Sequence, residues 1–132
     1  MKVRKVIIYA DGASRGNPGL AAVGATIKNE EGRLLTSISR RIGRATNNQA
    51  EYKAIITALE EAIKLGASEV GVYLDSELIV RQISGQYRVK NTALKPLYLQ
   101  VRQLQGLLKD FTITHVPRQQ NIEADDLANK AF

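Results

Sequence analysis

The 132-residue sequence predicts an α/β fold, a mixed sheet covered by helices. Three observations carry that expectation. Short β-rich runs and capped helical segments follow one another in the order β-β-β-α-β-α-α-β-α. Two of the runs, Val6–Ala10 and Val70–Leu74, are continuous apolar stretches suited to strands buried on both faces. A helix lies between those two, so they can run parallel and end at the same sheet edge. The length argues for one domain over residues 1–132, large enough to bury roughly two-thirds of its unfolded surface without a disulfide or structural metal.

Val6-Ile7-Ile8-Tyr9-Ala10 is the first strand, and Asp11-Gly12 ends it. Gly12 to Gly19 reads as a turn-rich loop. Alternating residues at Val23–Ile27 and Leu35–Ile42 flank Asn29-Glu30-Glu31-Gly32, the pattern of an antiparallel hairpin. Thr46 followed three residues later by Gln49 has capping-box spacing and opens a helix to about Leu65, with Gly66 as its stop. Val70–Leu74 is the fourth strand, and Asp75-Ser76 offers an N-cap for a helix to about Ser84. Gly85 to Thr92 is a loop. A helix is expected from about Ala93 to Lys109, with Pro96 tolerable only in its first turn. Phe111–Val116 is the last strand, Pro117–Gln120 a turn, and Asn121–Phe132 a terminal helix.

Composition narrows the chemistry. The chain has no cysteine, which excludes thiol redox centres, cysteine-ligated zinc and disulfide scaffolds. No apolar run approaches the ~20 residues of a membrane span, and Met1–Lys5 lacks the features of a signal peptide, so a cytoplasmic protein with no membrane partner is expected. Nineteen Lys and Arg against 13 Asp and Glu leave a net charge of +6, a balance suited to a polyanionic partner.

Four carboxylates stand out by position. Asp11 ends the first strand and Asp75 the fourth, at the edge where α/β sheets hold ligands. Glu51 lies near the start of the capped helix. Steps of four from it give Ile55, Leu59 and Ile63, so it faces the core. Asp125 sits beside the Ala124, Leu127, Ala128 and Ala131 stripe of the terminal helix, about 110° from the centre of that stripe, whereas Asp126 lies roughly 150° away and should face water. Singly, each acid has a plainer explanation as a turn, a cap, a dipole partner or a solvated charge. Together they deliver several acids to one edge. Crowded carboxylates repel unless a cation compensates. Oxygen ligands with open positions suit magnesium or manganese, and two such ions about 4 Å apart can drive phosphodiester hydrolysis.

The remaining signals are weaker. Gly12–Gly19 is neither a P-loop nor a dinucleotide fingerprint, although its amides can approach a sugar-phosphate backbone. Arg44, Thr46, Asn47 and Asn48 form a polar cluster ahead of Glu51, able to contact phosphates or hydroxyls. His115 has no serine or cysteine near it in sequence, which argues against a nucleophile triad. Aromatic residues are 5% of the chain, too few for a base-stacking platform.

Tyr9-Ala-Asp-Gly-Ala-Ser-Arg-Gly-Asn-Pro-Gly19, Thr46-Asn-Asn-Gln-Ala-Glu-Tyr52, Leu74-Asp-Ser76 and Asn121-Ile-Glu-Ala-Asp-Asp-Leu-Ala-Asn129 resemble the motifs of type 1 ribonuclease H. The likeness runs from about Val6 to Ala128, with order and spacing in register. It implies a ribonuclease H-like mixed five-stranded sheet, its first three strands antiparallel and its fourth and fifth joined through helices. It also implies endonucleolytic cutting of the RNA strand of RNA–DNA hybrids using two magnesium ions, with manganese as a substitute, to leave 5′-phosphate and 3′-hydroxyl ends. Apart from the resemblance, no protein partner is evident in the sequence and a monomer is expected. Carried over residue by residue, the catalytic metal ligands are Asp11, Glu51, Asp75 and Asp125. Asn17, Asn47 and Asn48 match positions that touch the hybrid, and Arg44 with Thr46 matches a pocket for a DNA-strand phosphate.

The sequence departs from the family pattern in two places. Gly85–Leu97 is short where many members carry a basic, aromatic-rich handle. Pro117-Arg118-Gln119-Gln120 replaces a glycine-rich loop bearing a histidine, leaving Arg118 as the candidate substitute. No separate hybrid-binding domain is expected ahead of the catalytic unit. Two other readings remain at this point: a nuclease of the same fold acting on duplex RNA or DNA, and a duplex-binding module without activity.

Overall fold

The structure, a computed structural model, describes residues 3–132. Its elements are β1 (Lys5–Gly16), β2 (Gly19–Lys28), β3 (Leu34–Ala45), α1 (Asn47–Lys64), β4 (Glu69–Leu74), α2 (Glu77–Ile83), α3 (Lys95–Gln105), β5 (Asp110–His115) and α4 (Ile122–Lys130), with a 3₁₀ turn at Arg118–Gln120. The five strands form one sheet in the order β3-β2-β1-β4-β5. β1 is antiparallel to β2, and β2 to β3; β4 is parallel to both β1 and β5.

Helices cover both faces of this sheet, and two glycines show how closely. Asp11 pairs with Gly24, and Gly12 with Val23, across β1 and β2. A Cβ added to Gly12 would collide with the backbone of Ala50 and Glu51 in α1, and one added to Gly24 with that of Ala124 and Ala128 in α4. Adjacent residues on a strand point to opposite faces, so α1 and α4 lie on opposite sides of the sheet. The α1 side is the drier. Val6, Ile8 and Ala10 of β1 and Val70, Val72 and Leu74 of β4 are buried there with Ile55 and Leu59 of α1. α2 and α3 pack beside α1 and contribute Ile79, Ile83 and Val101 to the same core.

The caps form as the sequence predicts at α1. The Gln49 N–H donates to Thr46 Oγ1 at 3.1 Å, and the Thr46 N–H donates to Gln49 Oε1 at 2.8 Å. Ser76 caps α2. Two expectations are corrected. The segment 12–19 is not a loop: β1 runs on to Gly16, β2 begins at Gly19, and only Asn17-Pro18 turns. Pairing with β2 satisfies the backbone of this glycine-rich stretch, which local propensity alone would leave irregular. The third helix is shorter than Ala93–Lys109. Asn91 Oδ1 accepts from the Ala93 and Leu94 N–H groups, which makes a turn of the approach, and the helix closes at Gly106. Among the described residues no helix is long and apolar enough to cross a membrane.

Candidate active site

Parallel pairing of β1 with β4 ends at Tyr9 opposite Tyr73. Two residues further along each chain stand Asp11 and Asp75. The sheet therefore brings two acids from distant parts of the chain to one edge. Glu51 arrives from the α1 side. Because Gly12 has no side chain, the first turns of α1 sit directly on β1, and the Gly12 N–H donates to Glu51 Oε1 at 2.6 Å. Single carboxylate oxygens of Asp11, Glu51 and Asp75 all lie within 4.8 Å of one another. Asp125 reaches the same place from α4, on the opposite face. All four acids line one cleft of about 530 Å³, shared with Gly12, Ala13, Ser14, Asn47, Ser76, Arg118 and Asn129.

Crowding shows in the protonation of the two buried acids. Burial first, then the neighbouring Glu51, Asp125 and Asp75 carboxylates, push the Asp11 carboxyl up to about 10. Burial also pushes Glu51 up, to about 7, although hydrogen bonds from the Gly12 N–H and from Asp11 oppose the rise. At neutral pH the cluster thus retains protons that a cation can displace. The donors are all carboxylate oxygens, the set that hard divalent cations take. The residues fit a metal.

A second groove, about 370 Å³, adjoins the first and is lined by Asn17, Thr46, Asn47, Asn48, Gln49, Asn91, Ala93 and Leu94. Asn47 borders both. Asn17 Oδ1 accepts from the Asn47 N–H at 3.0 Å, tying the tip of the β1–β2 hairpin to the start of α1. Arg44, exposed near the end of β3, lines neither cavity. Asp126 is exposed and Asp125 half-buried.

Ser14, Ser76, Asn129 and Asn91 line these cavities without being singled out by sequence as site residues. Ser14 donates through Oγ to the carbonyls of Ala45, at 2.8 Å, and Gly16, which joins the ends of β1 and β3 beside the cleft. Ser76 reads in sequence as a helix cap, yet it also borders the cleft. Asn129 donates through Nδ2 to Asp125 Oδ1 at 3.2 Å, and its spacing of four from Asp125 is a helical signal that was available. Asn91 lines the second groove together with Thr46, a juxtaposition that only tertiary folding creates.

The family model described as reverse transcriptase-like matches residues 9–131. The crystal structure of ribonuclease H1 from the halophilic archaeon Halobacterium salinarum is 44% identical and superimposes with a TM-score of 0.94, over 96% of each chain. The chain belongs to the type 1 ribonuclease H family. The N-terminal ribonuclease H domain of a Mycobacterium tuberculosis protein, solved as a fusion with maltose-binding protein, is 46% identical with a TM-score of 0.92, covering 96% of this chain and 98% of that one. A ribonuclease H1 isolated from compost, solved in complex with an RNA/DNA hybrid, is 43% identical with a TM-score of 0.91, over 96% of this chain and 95% of that one. The chain spans 35% of the length of the curated mycobacterial relatives it matches and 64% of that of the Halobacterium ribonuclease HI. Within this ribonuclease H fold, the four-acid cleft lies where the two parallel strands end and both helical layers meet.

Proposed function

We propose that this chain is an endonuclease that hydrolyses the RNA strand of RNA–DNA hybrids, using two magnesium ions held by Asp11, Glu51, Asp75 and Asp125, with manganese able to substitute. The convergence of Asp11, Glu51 and Asp75 within 4.8 Å carries this reading. The family membership supplies the substrate class, since a relative 43% identical was solved with an RNA/DNA hybrid. The proposed site residues lie on, or directly at the ends of, elements built around one sheet, in keeping with one catalytic domain over residues 1–132.

The ions, when bound, supply an activated water and charge compensation at the leaving oxygen. The chain's own residues do the rest. Glu51, anchored by the Gly12 N–H, and Asp75, at the end of β4, fix their carboxylates on rigid elements. Asn17, Asn47 and Asn48, neutral amides beside the acids, offer donors and acceptors to sugar hydroxyls and base edges. The RNA 2′-hydroxyl is the group that separates the cut strand from the uncut one. Thr46 and Arg44 take a phosphate of the DNA strand. Arg118, on the 3₁₀ turn at the cleft, presents a cation to the phosphate near the acids, in the place of the family's histidine loop.

The test is cleavage of matched RNA–DNA hybrid, duplex RNA and duplex DNA, each with magnesium or with chelator. Metal-dependent cutting of the hybrid's RNA strand, leaving 5′-phosphate ends, is expected. Cutting in chelator, or duplex DNA as the preferred substrate, would overturn the proposal.

A further inference from the structure

Asn121 stands at the N-cap position of α4, yet it does not cap the helix. An asparagine there ordinarily accepts, through its side-chain oxygen, a hydrogen bond from the helix's first turn. Here the Asn121 side chain turns into the protein, and the residue is only 1% exposed. Its Nδ2 donates to the carbonyl of Ala10, 111 residues away in sequence, at 2.9 Å. Its Oδ1 has no partner among the described residues. Burying an unpaired acceptor is costly, and a helix start left without its cap adds to that cost. Flipping the amide would set Oδ1 against the Ala10 carbonyl oxygen, so the donor orientation is the one the site requires.

The two ends of this hydrogen bond lie next to two of the four acids. Ala10 immediately precedes Asp11, and it is the first residue of β1 beyond the last β4 partner, Tyr9. Asn121 lies one helical turn before Asp125, whose N–H donates to the Asn121 carbonyl at 3.1 Å. A single residue thus spans from the strand that carries Asp11 to the helix turn that carries Asp125. α4 has other anchors: Lys28 Nζ donates to Glu123 Oε1 at 2.9 Å, Ser39 Oγ to the Leu127 carbonyl at 2.6 Å, and Arg41 Nε to the Ala131 carbonyl at 2.7 Å. Among the described residues, only the Asn121 bond joins α4 to the backbone next to a clustered acid; the others run to Lys28 in β2 and to Ser39 and Arg41 in β3.

The geometry points to Asn121 as a positioning residue that sets the separation of Asp125 from Asp11, and through it the affinity of the acid cluster for its divalent ions. This rests on the four-acid reading given above. Asn121 lines neither the acid cleft nor the amide groove, so loss of its side-chain bond removes no group from either surface. It loosens only the fourth acid.

The experiment compares wild type, Asn121→Ala, Asn121→Leu and Ser39→Ala. Asn121→Leu keeps the shape and removes the donor without burying a charge, which guards against an alanine variant that fails to fold. Ser39→Ala releases α4 at a point away from the acids. Magnesium binding is measured by calorimetry on the nucleic-acid-free proteins, alongside steady-state cleavage and thermal melting. For both Asn121 variants a fivefold or larger weakening of magnesium binding is expected, with kcat at subsaturating magnesium reduced at least tenfold and KM for hybrid unchanged. Ser39→Ala should melt earlier yet bind magnesium within twofold of wild type. Wild-type magnesium affinity and kcat in folded Asn121→Leu, or equal weakening in Ser39→Ala, would overturn the inference. Failure of wild type itself to bind magnesium would instead overturn the four-acid reading.

Discussion

Asp125 and Asp126 are neighbours in sequence and strangers in environment. Asp125 is half-buried, lines the acid cleft and receives a hydrogen bond from Asn129; Asp126 is exposed on the outer side of α4. Asp125→Asn should therefore cut hybrid turnover by about two orders of magnitude or more, whereas Asp126→Asn should stay within a few-fold of wild type in the same steady-state assay. The opposite ranking would reassign the fourth acid. The helical wheel already separates these two residues, because the angle from the apolar stripe decides which one can turn inward. The wheel is silent about Asn121 and Asn91, since each works through a partner on a distant element and nothing in its local pattern marks that.

Asp11 and Glu51 also make stability depend on pH in a definite direction. Both carboxyls are raised above their ordinary values, so the folded state binds more protons than the unfolded state across that interval. The contribution of these two groups to the stability of the metal-free protein is then greatest at acid pH. It falls as pH rises from about 4 through 7 for Glu51, and on toward 10 for Asp11. In chelator, calorimetry should find a melting temperature at pH 5.5 at least about 3 °C above that at pH 8.5. Saturating magnesium should shrink the gap by stabilising the alkaline sample more. A flat profile in chelator would mean that the cluster is less crowded than the structure shows.

At the scale of elements, the site depends on how closely α1 sits on β1. Gly12→Ala places a methyl group against the backbone of Ala50 and Glu51, neither of which can move without the helix. A loss of about 2 kcal/mol or more in urea unfolding is expected, together with a drop in turnover, because Glu51 shifts with the helix. By contrast, Thr46→Ala removes one half of the α1 capping box and should cost only about 1 kcal/mol. The nine elements and their order were legible because each carries its own period or cap: Val6–Ala10, Thr46 with Gln49, Asp75-Ser76. The extension of β1 through Gly12–Gly16 was not, since its glycines, serine and arginine become a strand only when β2 supplies hydrogen bonds.

The whole molecule carries a net charge of +6 but no basic handle. Between α2 and α3 there is instead a short loop, whose Tyr87 and Arg88, with Lys95 and Leu99, border an open groove of about 550 Å³. Fewer cations along the duplex release fewer counterions, so hybrid affinity should be modest and its salt dependence shallow. Grafting a basic handle between Gly85 and Leu97 should tighten binding at low salt and steepen the slope of log affinity against log salt. Nanomolar hybrid binding by the unmodified chain in high salt would contradict that expectation.

On the proposed function, the four acids act on the phosphodiester through the ions they hold and are not needed to grip the duplex. The most direct measurement is parallel cleavage and binding of the same RNA–DNA hybrid by wild type and Asp11→Asn, in magnesium. Cleavage should fall by several orders of magnitude. Binding should be unchanged or slightly tighter, because one negative charge facing the phosphates is gone. Near-wild-type cleavage by Asp11→Asn, or a loss of binding that matches the loss of cleavage, would contradict it.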